Sequence, residues 1–196
     1  MEAARQVLVR DGLPGATLEA VAKELGLTKA ALYYYFRSKD ELFFEVMYAG
    51  FAGCVQAIHE EVERAPDGRG ALRAIIAETI RGYASRMDDF RLLYMHGQVQ
   101  GQGPDRLKVG AEQLARIRPL NDLAYGGATR KLERDWREAR GRAGVEPRLM
   151  AFLANLAAVG VLTMKGMVES QDDPLLYSDE QLIDALARIF EAAAAP

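Results

Sequence analysis

Apolar residues recur every three or four positions along most of this 196-residue chain, and no stretch shows the sustained apolar–polar alternation of a β-strand. Alanine, leucine, glutamate and arginine dominate, and all four favour helices. Glycine and proline, rather than Asn-Gly hairpin turns, separate the periodic segments. The pattern predicts an all-α fold.

The glycine and proline positions also set the predicted helix boundaries. Short helices are expected within residues 2–36, and longer ones at 39–64, 70–87, 90–100, 105–142, 147–169 and 178–194. Pro119 and the Gly126-Gly127 pair are expected to interrupt the helix at 105–142, because both residue types disfavour helix interiors. The last helix begins with a capping-box sequence, Ser178-Asp179-Glu180-Gln181.

Composition excludes several kinds of site. A single cysteine, Cys54, excludes an intramolecular disulfide framework and multi-thiolate zinc sites, and His59 and His96 lie too far apart for a local metal motif. We therefore expect no metal and no cofactor. The formal net charge of −3 argues, at first, against nucleic acid as a partner. A signal-peptide pattern is not apparent, and the most apolar stretch, 149–164, is shorter than a membrane span, so a cytoplasmic protein with no membrane partner is expected.

Residues 17–36 carry the most specific pattern. Thr17 is a plausible N-cap, followed by apolar residues spaced to form one buried helix face: Leu18, Val21, Ala22 and Leu25. Gly26 stands where a helix ends in the left-handed conformation, and Thr28 can cap a second short helix. Two short helices joined by a tight glycine turn form the helix-turn-helix pattern.

The second of these helices has two unlike faces. At about 100° per residue, one face carries Lys29, Ala30, Tyr33, Tyr34 and Arg37, and the other carries the packing residues Ala31, Leu32, Tyr35 and Phe36. Lys29 and Ala30 lie in the first turn, the part of a recognition helix that reaches base edges, and tyrosine hydroxyls suit phosphate oxygens. Ser38-Lys39-Asp40-Glu41 is a second capping box, whose N–H groups and Lys39 can hold a phosphate. The alternative is a purely structural helix pair with half-buried tyrosines.

With these motifs in hand, residues from about 4 to 47 resemble the TetR family of transcriptional repressors. The matching residues are Ala4, Gly12, Thr17, Val21-Ala22, Leu25-Gly26-Leu27-Thr28-Lys29, Leu32-Tyr33-Tyr34-Tyr35-Phe36 and Ser38-Lys39-Asp40-Glu41-Leu42. By that resemblance Thr28, Lys29, Ala30, Tyr33, Tyr34 and Lys39 match the DNA-contacting positions of the family. Ala30 stands where glycine is common. The basic arm that often precedes the first helix is missing, so either the recognition helix binds alone or the sequence lacks a few residues.

The resemblance implies an architecture and a function. We expect a helix-turn-helix DNA-binding domain at 1–45, with its motif at about 18–36, followed by a larger helical ligand-binding and dimerisation domain at 46–196. The helices at 147–169 and 178–194 would form the homodimer; the alternative is that they belong to the core of a monomer. The expected function is a ligand-responsive regulator, a repressor, that binds a near-palindromic double-stranded operator and is released by a small, mostly apolar effector.

Aromatic and methionine side chains at helical spacing in the second domain supply candidate effector contacts. They are Tyr83, Phe90, Tyr94, His96, Phe152 and Met164, although such residues belong more often to a core. An arginine-rich segment at 129–148 allows an anionic head group, such as the phosphates of an acyl-CoA. Its alternative is a solvated helix face with ion pairs.

The competing interpretation is an enzyme or small-molecule carrier in which the N-terminal helices are only structural. Catalysis needs a nucleophile–base pair, paired carboxylates or a metal cluster, and Cys54 has no recognisable partner. The sequence therefore predicts a protein that is not an enzyme. It leaves a transcriptional activator or an architectural DNA-binding protein open beside a repressor.

Overall fold

A computed structural model describes residues 1–84, 86–91, 108–139, 144–169 and 177–195. Within these ranges the regular structure is helical, without strands, as predicted. The helices are α1 (Glu2–Gly15), α2 (Leu18–Glu24), α3 (Lys29–Tyr35), α4 (Lys39–Arg64), α5 (Gly68–Ala84), α6 (Met87–Phe90), α7 (Ala111–Glu138), α8 (Pro147–Glu169) and α9 (Asp179–Ala193). The predicted bounds of α4 and α8 are confirmed.

The chain divides into two compact units. Unit 1 comprises Met1–Ala52 and Asp88–Ile117, and unit 2 comprises Gly53–Met87 and Arg118–Pro196. Residues 46–52 and 88–117 thus group with the N-terminal helices by compactness. The functional division at residue 45 stays a prediction, because compactness alone does not define a functional domain.

Unit 1 has its own apolar core. Its buried members come from α1, α2, α3 and the start of α4, and they are Ala4, Val7, Leu8, Leu13, Ala16, Leu18, Val21, Ala22, Leu32, Leu42 and Phe43. Gly12, at φ 66°, bends α1 ahead of Pro14, a backbone conformation that L side chains rarely adopt. This core holds the three N-terminal helices against the first turns of α4, which fixes the position of α3.

Unit 2 is built around α5. Leu72, Ile75, Ile76 and Ile80 of α5 are fully buried, and α5 packs against both α8 and α9. The Trp136 indole N–H donates to the carbonyl oxygen of Ala194 at 2.9 Å, so the end of α7 is tied to the end of α9. The capping box at Ser178 is present, with both of its hydrogen bonds formed.

The predicted interruption at residues 119–127 is wrong. α7 runs through Pro119 and both glycines without a break. A Cβ on Gly127 would lie 2.6 Å from Glu63 Oε1 and 2.7 Å from Val62 Cγ1, so this glycine permits α7 to approach α4 closely. Gly127 therefore serves packing between two helices of unit 2, which a pattern read along one helix does not reveal.

Among the described residues, two helices are long and apolar enough to cross a membrane, judged by length and composition alone: α4 and residues Pro147–Met167 of α8. The same test selects the core helices of soluble proteins. Both helices do contribute to cores here, α4 through Phe43 and Val62 and α8 through Ala154 and Leu162.

Candidate nucleic-acid interface

Local hydrogen bonds fix the ends of the two short helices in unit 1. Thr17 and Thr28 are the N-caps, and their hydroxyls accept from the amides of Ala20 and Ala31 at 3.1 and 3.2 Å. Gly26, at φ 65°, ends α2: its amide donates to Lys23, and the amide of Leu27 donates to Ala22 at 2.8 Å. These two bonds form a Schellman motif, which confirms the predicted glycine turn.

α3 presents an aromatic surface to solvent. Leu32 is buried in the core of unit 1, whereas Tyr34 and Tyr35 are 85% and 70% exposed and lie edge to face, with ring centroids 5.2 Å apart. Tyr33 is also exposed. The hydroxyl-bearing surface predicted for Tyr33 and Tyr34 is therefore present.

The placement predicted for Tyr35 is wrong, since it was expected on the packing face. α3 ends at Tyr35, and Phe36 takes an extended conformation with φ −130° and ψ 122°. Phe36 then packs against the core of unit 1. Because the helix stops one residue before Phe36, the chain turns a single aromatic residue inward there, and Tyr35 stays in solvent.

Lys29 lies in the first turn of α3, where it contacts Glu19 and Tyr33. Its ammonium forms an ion pair with Glu19 of α2 and lies 5.4 Å from the centroid of the Tyr33 ring. The hydrogen bond between the two charges raises the pKa of Lys29 and lowers that of Glu19. Sequence reasoning missed Glu19, because the pair joins two helices whose relative placement is set by their shared core.

The start of α4 satisfies part of its own backbone. The Ser38 hydroxyl accepts from the amide of Glu41 at 3.1 Å, and Glu41 Oε2 accepts from the amide of Arg37 at 2.7 Å, one residue earlier than a standard capping box. Lys39 is half-buried, and its ammonium donates to the carbonyl oxygen of Leu13 at 3.5 Å. Arg37 is exposed. Of these two predicted DNA contacts, Arg37 is thus the more accessible.

A cation on α7 braces the same helix. Arg116 forms an ion pair with Glu45, and its guanidinium carbon lies 4.3 Å from the ring centroid of Tyr48 and 5.4 Å from that of Phe44. Phe44 and Tyr48 stack on each other. The pair lowers the pKa of Glu45, chiefly through the hydrogen bond from Arg116. Within unit 1, Arg116 therefore links the first turns of α7 to α4.

In unit 2, α8 leaves a row of large apolar side chains exposed. They are Leu149, Phe152, Leu153, Leu156, Met164 and Met167, to which α9 adds Ile189. Leu156 is 50% and Met164 57% exposed. A set of this size, at helical spacing and opposite the buried Ala154 and Leu162, is typical of a surface that another apolar surface covers.

The predicted effector residues lie in different settings. Tyr83 and Phe90 are buried, in unit 2 and unit 1 respectively, while Phe152 and Met164 belong to the exposed row on α8. Tyr94 and His96 lie outside the described residues. Their role as effector contacts stays a prediction.

A polar chain that the sequence did not predict runs through unit 2. The Thr79 hydroxyl lies 2.7 Å from the carbonyl oxygen of Ile75 and 3.0 Å from Asn155 Oδ1, two acceptors for its one hydrogen, and Asn155 Nδ2 donates to the Tyr125 hydroxyl at 2.9 Å. Burial raises the pKa of Tyr125. The chain joins α5, α8 and α7 through three side chains.

The described cations of the arginine-rich segment are largely engaged with the protein, whereas Arg140 and Arg142 lie outside the described residues. Arg130 pairs with Glu63, Arg134 with Asp135, and Arg148 with Asp122. Lys131 donates to the carbonyl oxygen of Ala65 at 2.8 Å. These contacts favour the interpretation of this segment as a face rich in ion pairs. In the part of the chain that the structure describes, no group of three His, Cys, Asp or Glu side chains is placed to hold a metal ion.

Comparison with protein families gives a match at the N-terminal end of the chain. The model of the bacterial regulatory proteins of the tetR family matches residues 1–46, the stretch that contains α1, α2, α3 and the start of α4. The resemblance to the TetR family is confirmed. The matched residues include the whole exposed surface of α3 and the capping contacts of α2, α3 and α4.

The curated relatives that match the chain are regulators of the helix-turn-helix type. The transcriptional activator FasR of Mycolicibacterium smegmatis is 27% identical over 111 residues, 56% of this chain and 51% of that protein. The nicotine-responsive transcriptional repressor HdnoR of Paenarthrobacter nicotinovorans is 36% identical over 75 residues, 38% of this chain and 37% of that protein. The matches thus span about half or less of these relatives.

Solved structures extend the likeness in fold to nearly the whole chain. A TetR/AcrR-family transcriptional regulator from Thermobifida fusca superposes with a TM-score of 0.69 at 18% identity, covering 97% of this chain and 93% of that one. The regulator FadR of Bacillus subtilis, solved in complex with stearoyl-CoA, gives 0.72 at 14% identity over 98% and 96%. The fold is therefore the one that a TetR-family regulator has, with an N-terminal helix-turn-helix.

Proposed function

We propose that the protein is a homodimeric, effector-responsive transcriptional repressor that binds a near-palindromic operator through α3. The observation that carries this proposal is the exposed surface of α3, with Lys29 in its first turn and Tyr33 and Tyr34 beside it. An ammonium and phenolic hydroxyls are donors, and DNA offers acceptors at phosphates and at base edges. The small Ala30 permits close approach to a base.

The apolar row on α8 supports the dimer. Two copies that bring these rows together would remove from water the large side chains that unit 2 leaves exposed. A two-fold dimer presents two α3 helices, and two half-sites one helical turn apart, roughly 34–36 Å, match such a pair.

The effector we propose is small and mostly apolar, with an acyl-CoA as the first candidate. Support comes from the fold shared with FadR, a protein whose structure contains stearoyl-CoA. The arginine-rich segment lends less support, because Arg130, Arg134 and Arg148 already contact carboxylates. A ligand that binds better to a dimer with a different spacing of its α3 helices shifts the population and releases DNA.

DNA binding is tested by selecting duplexes from a random pool with the full chain and titrating the enriched duplex by fluorescence anisotropy. We expect enrichment of a near-palindrome, and weaker binding by Lys29→Ala and Tyr34→Ala. Tyr177→Ala is the matched control, since Tyr177 is an exposed tyrosine of unit 2 outside the proposed interface. Equal affinity of wild type, Lys29→Ala and Tyr34→Ala would remove the proposal.

The effector is tested on the preformed protein–DNA complex. Stearoyl-CoA and shorter acyl-CoA thioesters are titrated, with free coenzyme A and the free fatty acid as controls. Release by a thioester and not by either part supports the acyl-CoA proposal. No release at any chain length would contradict it while leaving DNA binding untouched.

An enzyme or carrier with merely structural N-terminal helices is the rival that the selection experiment decides, since such a protein enriches no sequence. The direction of regulation needs a reporter, because HdnoR is a repressor and FasR an activator. Repression of a promoter that contains the selected sequence supports our proposal, and activation would reverse its sign.

A further inference from the structure

Glu19 places a carboxylate beside the cation that the proposed interface depends on most. It lies in the first turn of α2, where the helix N-terminus favours an acid, and it reaches the Lys29 ammonium on α3. Both side chains are about half exposed, at 57% for Lys29 and 49% for Glu19. Exposed pairs of this kind contribute little to folding stability, so stability does not account for the contact.

The pair does restrict where the Lys29 ammonium lies. A lysine side chain is flexible, and its ammonium is a point charge that any nearby phosphate attracts. Here the carboxylate of Glu19 on one side and the ring of Tyr33 on the other hold it over the first turn of α3. A carboxylate at this place also repels the phosphates that would otherwise capture the ammonium.

We propose that Glu19 is a specificity-determining residue that holds Lys29 toward base edges and weakens binding to DNA of arbitrary sequence. The proposal rests on the proposed function, since it requires α3 to bind DNA. Glu19 acts through Lys29 and is therefore a positioning residue. The carboxylate of Glu19 lowers the affinity of the protein for every duplex, and it preserves the preference for one DNA sequence.

The rest of the charge distribution agrees with this role. Residues 1–45 carry six Lys and Arg against seven Asp and Glu, so this segment is not basic as a whole. Arg10 is paired with Asp11 and Glu24, and the exposed cations that remain are Lys23 on α2, Lys29 on α3 and Arg37 in the turn after α3. With so few cations, the position of one ammonium has a large share in recognition.

The test uses the full chain, the selected duplex and a duplex of scrambled sequence. For Glu19→Gln we expect tighter binding to the scrambled duplex, by about two- to tenfold across the two protomers of a dimer, as weak surface charges predict. The ratio of the two affinities should fall, and the salt dependence of binding should steepen. Glu24→Gln is the matched control, since Glu24 lies on the same helix and pairs with Arg10 instead.

A double-mutant cycle assigns the effect to Lys29. In the Lys29→Ala background, Glu19→Gln should leave the affinity ratio unchanged. An unchanged ratio in the single variant overturns the role of Glu19, and an equal fall in both backgrounds overturns action through Lys29 and indicates a direct base contact. If the wild type does not distinguish the two duplexes, the proposed function fails as well, which is visible before any variant is measured.

Discussion

α3 in unit 1 and α8 in unit 2 both expose large side chains, but the chemistry of those side chains differs. α3 exposes tyrosines beside a lysine, whereas α8 exposes leucine, phenylalanine and methionine. Tyrosine hydroxyls and ammonium groups form hydrogen bonds to water, and a polar partner can replace that water. Leucine and methionine side chains form none, and their free energy falls when they are buried away from water. The exposed surface of α3 therefore suits a charged, hydrogen-bonding partner, and the exposed surface of α8 suits an apolar partner.

The largest expected effect comes from a charge placed in the apolar row. Leu156→Glu should convert the proposed dimer into a monomer, because the proposed contact would bury a carboxylate. Operator affinity should then fall by about 100-fold or more, since two linked half-site contacts become one. Light scattering gives the mass and anisotropy the affinity.

Gln56→Glu controls for the added charge, because Gln56 is exposed on a different helix, α4. If the Leu156→Glu protein stays dimeric, the apolar row on α8 is not the dimer contact, and a second copy of the protein is not the partner of that row.

Salt should separate the two surfaces next. We expect log Kd for the selected duplex to change with log salt by about four to six per dimer, at ~0.9 per neutralised phosphate, so that doubling the salt weakens binding by roughly 16- to 60-fold. Dimerisation through apolar side chains should change little over the same range. A flat salt response for the selected duplex would contradict the contribution of Lys29 and Arg37.

A smaller effect is expected from the most exposed tyrosine of α3. Tyr34→Ala should weaken operator binding by about tenfold, since each of two protomers loses a hydrogen bond worth about 0.5–1.5 kcal/mol. Its melting temperature should match the wild type, because Tyr34 is 85% exposed. Tyr34→Phe separates the hydroxyl from the ring. If Tyr34→Phe binds as the wild type does, the hydroxyl makes no contact and the ring alone matters.

The inward side of α8 provides the smallest predicted change. Asn155→Ala should lower the free energy of unfolding by about 1–2 kcal/mol, since it removes the hydrogen bond to the half-buried Tyr125 hydroxyl, while Thr79 keeps its bond to the carbonyl oxygen of Ile75. Asn121→Ala is the control, because Asn121 is exposed on α7. Equal urea midpoints for the two variants would show that the hydrogen bonds of Asn155 do not stabilise the fold. The inward side of α8 would then contribute to stability only through its apolar side chains.

Much of this could be predicted from local sequence signals. The bounds of α4 and α8 follow from Pro66-Asp67-Gly68 and Pro147, and the turn before α3 follows from Gly26 and Thr28, because each signal acts through hydrogen bonds within a few residues. The face of α3 that carries Lys29, Tyr33 and Tyr34 follows from helical spacing alone.

The rest depends on contacts between helices. Gly127 looks like a helix breaker along the chain and proves to be a point of close approach to α4. Three side-chain contacts join residues of different helices. They are the ion pairs of Glu19 with Lys29 and of Arg116 with Glu45, and the hydrogen bond from Asn155 to Tyr125. No spacing rule for a single helix reveals such pairs.

The central claim, that paired α3 surfaces bind DNA, is tested most directly by a hydroxyl-radical footprint of the full chain on its selected duplex. We predict two protected half-sites related by a two-fold axis, with centres one helical turn or a multiple of it apart, and loss of both in the Lys29→Ala, Tyr34→Ala double variant. A single protected site, or a footprint that survives the double variant, would contradict the account.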